Sequence, residues 1–242
     1  MIELTAFTKT YAAAPAVQDI SLVCREGTVT GLIGENGAGK TTILRAVCAQ
    51  HFATAGTVRV QGIDAAEHPA AVRALTGLAG EQARLPAEYT VREFLSQTAH
   101  IHGVADCARA VGTVAEQCGI GDVLAQKIGT LSKGYRERVS FANALVHNPP
   151  VLVLDEPASG LDPAQIVRMR ALIASLAKGR TILLSTHLMQ EVDALCDAVL
   201  LIHKGRAVAY GTPDEIARAQ HVATLEAAFF KLTQDGSHGG RA

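Results

Sequence analysis

Two hydrophobic patterns alternate along this chain, and together they predict its architecture. Residues 29–33, 151–154, 181–185 and 198–202 are short, largely apolar runs without polar alternation. Such runs suit central parallel strands buried on both faces. Residues 2–4 and 20–23 alternate instead, so residues 1–33 read as strand-rich, and residues 56–62 read as a strand bounded by glycines. Between the apolar runs lie helix-compatible segments at 42–50, 65–74, 164–177 and 188–196. Strands alternating with helices imply a doubly wound α/β sheet. Residues 90–146 are alanine-rich, poor in strand signals and broken by glycines, and read as a helical insertion. Residues 234–242, with Gly236, Ser237, Gly239 and Gly240, read as a frayed tail.

Composition narrows the class. The 242 residues are 48% apolar and 19% charged, which suits a globular fold with a substantial core. Net charge is −1 and no basic stripe is evident, so nucleic acid is not an expected partner. The N-terminus does not resemble a signal peptide, and no apolar run approaches bilayer length, so a cytosolic location is expected unless a partner holds the chain at a membrane. Cys24, Cys48, Cys107, Cys118 and Cys196 are scattered, with no Cys-x-x-Cys pair, and read as buried thiols. Of nine histidines only His100 and His102 approach ligand spacing, and an i, i+2 pair points to different helix faces; a solvated surface is the expectation.

Chemistry enters with Gly34-Glu35-Asn36-Gly37-Ala38-Gly39-Lys40-Thr41-Thr42. The glycines let backbone N–H groups form an anion-binding nest, and the following helix adds positive potential. This predicts a nucleoside triphosphate site in which Gly34, Asn36, Gly37, Ala38, Gly39, Lys40, Thr41 and Thr42 meet the nucleotide. Lys40 would reach the β- and γ-phosphates and the Thr41 hydroxyl would coordinate Mg²⁺. The apolar run at 151–154 ends in Asp155-Glu156-Pro157, at the strand end where open α/β sheets bind ligands. Asp155 is expected to hold Mg²⁺ opposite Thr41. Glu156 is placed to polarise a water for in-line attack on the γ-phosphate.

Leu131-Ser132-Lys133-Gly134-Tyr135 precedes a helix, with Ser132 as its N-cap. Between the phosphate loop and Asp155-Glu156, this segment resembles the signature motif of ATP-binding cassette (ABC) ATPases, with Glu137 where the variant form has glutamine. Other family elements follow in order. Tyr11 resembles the aromatic that stacks on adenine, with Val17 as a further nucleotide contact. Ser159-Gly160-Leu161-Asp162 resembles the D-loop, and Ser185-Thr186-His187 carries the switch histidine that contacts the γ-phosphate. The resemblance spans roughly residues 1–233.

That resemblance implies a P-loop NTPase fold with a mostly parallel core sheet, an N-terminal antiparallel β-subdomain and an inserted helical subdomain. It places the nucleotide-binding core at about 1–89 and 147–233, the helical subdomain at about 90–146 and a tail at 234–242. Glu156, His187 and Lys40 become the catalytic set, with ATP and Mg²⁺ as substrate and cofactor. One departure stands out: Glu81 occupies the usual glutamine position of the loop that reaches the metal, with Gln82 one residue later, and either fills that role. The family further implies half-sites. Leu131, Ser132, Lys133, Gly134 and Asp162 would contact ATP held by a second cassette, by default another copy of this chain, docked on separately encoded membrane permease subunits at the cytoplasmic face. The Lys-Gly-Tyr-Arg signature and the ending at 225–233 resemble the branch rich in drug, lipid, polysaccharide and ion exporters, although a single amphipathic tail helix accounts for that ending as well. A non-transport cassette acting on a soluble or cell-envelope assembly is the alternative.

Overall fold

The computed structural model describes residues 1–12, 14–80 and 85–235, without the side chains of 190, 191 and 235. In chain order the strands are β1 (Ile2–Tyr11), β2 (Ala14–Cys24), β3 (Val29–Ile33), β4 (Ala55–Val60), β5 (Ile63–Asp64), β6 (Thr76–Ala79), β7 (Val151–Asp155), β8 (Thr181–Thr186), β9 (Ala198–His203) and β10 (Arg206–Gly211). The α-helices are α1 (Lys40–Val47), α2 (Pro69–Leu75), α3 (Val91–Ile101), α4 (Cys107–Gln117), α5 (Lys133–Leu145), α6 (Pro163–Ala177), α7 (Met189–Leu195), α8 (Pro213–Ala219) and α9 (Leu225–Asp235).

Two sheets form. β2-β1-β4-β5 is antiparallel; β10-β9-β3-β8-β7-β6 is parallel except where β10 returns against β9. The unbroken apolar runs now have a cause. In β7, Leu152 and Leu154 face a core shared with Phe141, Ala142 and Leu145 of α5 and Ile173 of α6. Val151 and Val153 face the opposite core, against Ile43 and Leu44 of α1 and Ile2 and Phe7 of β1. With side chains alternating across the strand, both faces demand apolar residues. A third cluster joins Ile33, Val199 and Leu201 to Val192, Ile216, Leu225 and Ala228, so α9 packs on the body through its apolar stripe.

Register brings the chemistry together. Asp155 pairs with Ser185 across β7 and β8, and Ile33 pairs with Thr186 across β3 and β8. The ends of three strands therefore form one rim, with α1 rising from it. Residues 91–145 supply α3, α4 and α5. Their entry is fixed by a capping box: Thr90 Oγ1 accepts from Glu93 N at 3.2 Å, while Glu93 Oε2 accepts from Thr90 N at 2.8 Å.

Three readings change. The helix after the phosphate loop starts at Lys40, not residue 42, and ends at Val47, because Gly39 caps it in the left-handed region and Ala49 turns the chain at φ 49°. The helix expected over 65–74 is shortened to Pro69–Leu75, since the Asp64 carboxylate accepts from the amides of Ala66 and Glu67 and holds a turn there. His102 is not simply solvated: it stacks on His147 with ring centroids 3.7 Å apart.

Candidate active site

The phosphate loop joins β3 to α1, and two of its glycines, Gly34 and Gly39, are sterically required. Gly39 sits at φ 105°, and a Cβ there would lie 2.7 Å from Val17 Cγ2 and 2.8 Å from the Ala16 carbonyl. Gly34 is packed so closely on the Ile202 carbonyl that a side chain has no room. The loop folds around the buried Lys40: its Nζ donates to Gly34 O at 2.7 Å and lies 3.4 Å from Glu35 O.

Across the cleft, the end of β7 presents two acids with different partners. Asp155 Oδ2 accepts from Thr41 Oγ1 at 3.1 Å, and its Oδ1 accepts from Ser185 Oγ at 2.6 Å. Glu156 has a left-handed backbone, φ 52°, an uncommon conformation for a non-glycine residue. Its amide donates to Ser185 O at 3.2 Å and Ser185 Oγ at 3.0 Å, which locks the turn. The carboxylate is thereby aimed at the loop. Glu156 Oε1 stands 3.5 Å from Lys40 Nζ, and Oε2 lies 2.7 Å from His187 Nδ1. With Glu156 ionised, His187 Nδ1 carries the donated proton and the ring is oriented by that bond. Ser185 thus supports both acids at once. Its sequence signal was a hydroxyl at the end of an apolar run, whose partner becomes apparent only from the β7–β8 register.

These groups enclose a cleft of about 320 Å³ lined by Ala16, residues 35–37 and 39–42, Asp155 and Glu156. The structure therefore assembles Asn36, Gly37, Gly39, Lys40, Thr41, Thr42, Asp155 and Glu156, with His187 bonded to Glu156. Gly34 and Ala38 are buried beneath the loop; the Ala38 amide is taken by Glu35 O at 3.1 Å. Val17, expected as a nucleotide contact, does not line the cleft. It is fully buried under Gly39, and Ala16 lines the cleft in its place. Tyr11 is 48% exposed, with its ring edge-to-face on His51 at 5.9 Å and Lys9 Nζ 5.3 Å from its centroid. Ala16 and His51 carried no signal in the sequence pattern.

Leu131 leads into α5, Ser132 caps it with Oγ accepting from Tyr135 N at 3.4 Å, and Lys133 and Gly134 open the helix. Asp162 caps α6, with Oδ1 accepting from Gln165 N at 2.9 Å. Neither segment lines the cleft. Glu81 and Gln82 lie outside the described residues.

A glycine loop between a central strand and a helix, facing two acids at the end of another parallel strand, defines a P-loop nucleotide hydrolase. The family described as ABC transporter matches residues 17–159 of the chain. The chain is 34% identical over 218 residues to the ABC transporter ATP-binding protein NatA of Bacillus subtilis (strain 168), covering 88% of this chain and 89% of that protein. It is 35% identical over 222 residues to the Nod factor export ATP-binding protein I of Paraburkholderia xenovorans (strain LB400), covering 90% and 73%. It is 35% identical over 208 residues to the bacitracin transport ATP-binding protein BcrA of Bacillus licheniformis, covering 85% and 68%. A solved structure described as the ATP binding subunit of an ABC transporter superposes with a TM-score of 0.89 at 28% identity, covering 96% of this chain and 99% of that one. The chain belongs to the ABC transporter family, and it is an ATP-binding cassette ATPase.

Proposed function

We propose that this ATPase powers an exporter, working as a pair of identical cassettes docked on membrane subunits encoded by other chains. The observation that supports the pairing is that Leu131, Ser132, Lys133, Gly134 and Asp162, expected to meet ATP, lie outside the cleft, while Ser132, Lys133 and Asp162 are exposed where a second copy could present them. Ser132 and the N-terminus of α5 would donate to γ-phosphate oxygens across the pair, a contact ADP cannot make. ATP then holds the pair closed and hydrolysis releases it. The exporter reading draws on relatives named for Nod factor export and bacitracin transport. No helix among the described residues is long and apolar enough to cross a membrane, so on this reading the chain sits at the cytoplasmic face through its partners.

In the proposed reaction Tyr11 stacks on the adenine and the loop amides of 36–42 cradle the phosphates. Lys40 exchanges its 3.5 Å neighbour, the Glu156 carboxylate, for β- and γ-phosphate oxygens. Glu156, oriented by His187 and by Ser185 behind it, accepts the proton of a water attacking the γ-phosphate in line, giving ADP and phosphate. The hydroxyl of Thr41 and the carboxylate of Asp155, hard oxygen donors 3.1 Å apart, fit Mg²⁺ and would hold it, with Glu81 or Gln82 as a further ligand. When bound, Mg²⁺ would neutralise phosphate charge during transfer.

A pull-down of the chain from detergent-solubilised native membranes tests this reading. A polytopic membrane partner is the expected companion. Recovery of soluble partners alone would move the assignment to a non-transport cassette acting on a soluble or cell-envelope assembly.

A further inference from the structure

The signature turn and the D-loop are far apart in sequence, yet they interlock through two glycines. Gly134, buried at the start of α5, lies directly under the Gln165 carboxamide of α6: a Cβ on Gly134 would sit 2.5 Å from Gln165 Oε1 and 3.0 Å from its Nε2. That amide also donates from Nε2 to Asp162 Oδ2 at 2.6 Å, while the Gln165 backbone N–H takes the other carboxylate oxygen. In return, Lys133 Nζ lies against Gly160 of the D-loop, so that a side chain at 160 would have to displace it. Each segment thus covers the other's glycine. Close by, α4 and α5 stand away from α6 across a cleft of about 220 Å³ whose lining includes Gly134, Arg138, Leu161, Gln165 and Met169. The Gln165–Gly134 contact bridges two elements that otherwise part there.

We propose that Gln165 is a positioning residue that locks the D-loop to the signature turn within each chain, so that both segments meet the partner cassette as one preset surface. The idea rests on the paired-cassette reading. Its physical basis is preorganisation: Asp162 is an exposed carboxylate on a loop, and a neutral donor at 2.6 Å fixes its orientation without neutralising it. The van der Waals seat on Gly134 then ties that orientation to the Ser132 end of α5. Gln165 does not line the nucleotide cleft of its own chain, so its effect should appear in pairing and not in monomer ATP binding.

Three substitutions separate the contributions, each made in a Glu156→Gln background so that ATP persists. Gln165→Met keeps volume over Gly134 but loses the donor. Gln165→Glu puts a second carboxylate beside Asp162. Gln165→Ala removes both contact and donor, and supplies the comparison if either larger change lowers the melting temperature. The ATP-dependent monomer–dimer equilibrium is read by sedimentation, and binding of a fluorescent ATP analogue to the monomer is measured in parallel. The expected result is dimerisation weakened about tenfold or more by Met and Ala, and further by Glu, with monomer binding unchanged. Variants that dimerise like the Glu156→Gln parent, or lose monomer ATP binding in proportion to dimerisation, would overturn the proposal. A parent that stays monomeric with ATP overturns the paired-cassette reading itself, and this proposal falls with it.

Discussion

Acidifying the solution should weaken the fold through one histidine pair. His147, just after α5, places Nε2 3.1 Å from the Thr76 carbonyl, so that nitrogen carries the proton; Nδ1 is buried with no hydrogen-bond partner. His102, from the end of α3, stacks on the same ring at 3.7 Å. A proton on Nδ1 would put charge at a buried atom beside a second imidazole. Burial, followed by the effect of His102, pushes His147 down from 6.5 to about 4, and burial lowers His102 as well. Between pH 6.5 and 4 the unfolded chain therefore binds more protons than the folded one, so stability falls as pH falls through that window and is complete above it. A shift of about 2.5 units has a ceiling of about 3.4 kcal/mol. Because the ring is only half-buried, screening reduces the realised loss to about 1–2 kcal/mol. For a chain of this size that corresponds to about 2–8 °C in Tm. The assay compares thermal unfolding of the wild type and His147→Gln, whose amide can still donate to Thr76, from pH 7.5 to 4.5. Carboxylates titrate in both proteins, so the difference in slope isolates His147. Parallel Tm profiles for the two would refute the reasoning.

Other perturbations probe the cleft and the core. Gly39→Ala, at φ 105° and pressed on Val17 and Ala16, should cost about 1–3 kcal/mol and reduce ATP affinity at least about tenfold by calorimetry, whereas Gly37→Ala, also at positive φ but in open space, should be the milder change. Ser185→Ala removes the bond to Asp155 and one to the Glu156 amide, so kcat should fall about tenfold to a hundredfold while ATP binding holds within about threefold, as separate turnover and binding assays can show. Burial pushes the Cys24, Cys48 and Cys118 thiols up to about 12, so iodoacetamide mass mapping of the native protein should find Cys107, partly exposed, modified well before these three.

The chemistry of the cleft was readable in the sequence because it is carried by local signals: a glycine loop between strand and helix, and two acids closing an apolar run. The β3, β7, β8 and β9 runs were equally legible, since burial on both faces leaves no polar alternation. What escaped depends on contacts between distant segments. Ser185 becomes the common support of Asp155 and Glu156 only when β7 and β8 pair in register. Alternation along β2 turns Val17 inward and leaves Ala16 at the cleft. His102 looked like a solvated helix residue because His147, which covers it, is 45 positions away. The N-terminus of α1 shifted because Gly39 caps in a left-handed conformation that no hydrophobic pattern announces.

Replacing Glu156 by glutamine and following both turnover and assembly tests the catalytic and pairing claims together. The substituted amide keeps the shape of the side chain but cannot accept the water's proton, so phosphate release should fall by at least about a hundredfold. Sedimentation should then show a dimer with ATP and a monomer with ADP. Phosphate release at the wild-type rate would remove Glu156 from the chemistry, and a monomer in saturating ATP would contradict the proposal that two cassettes close on the nucleotide.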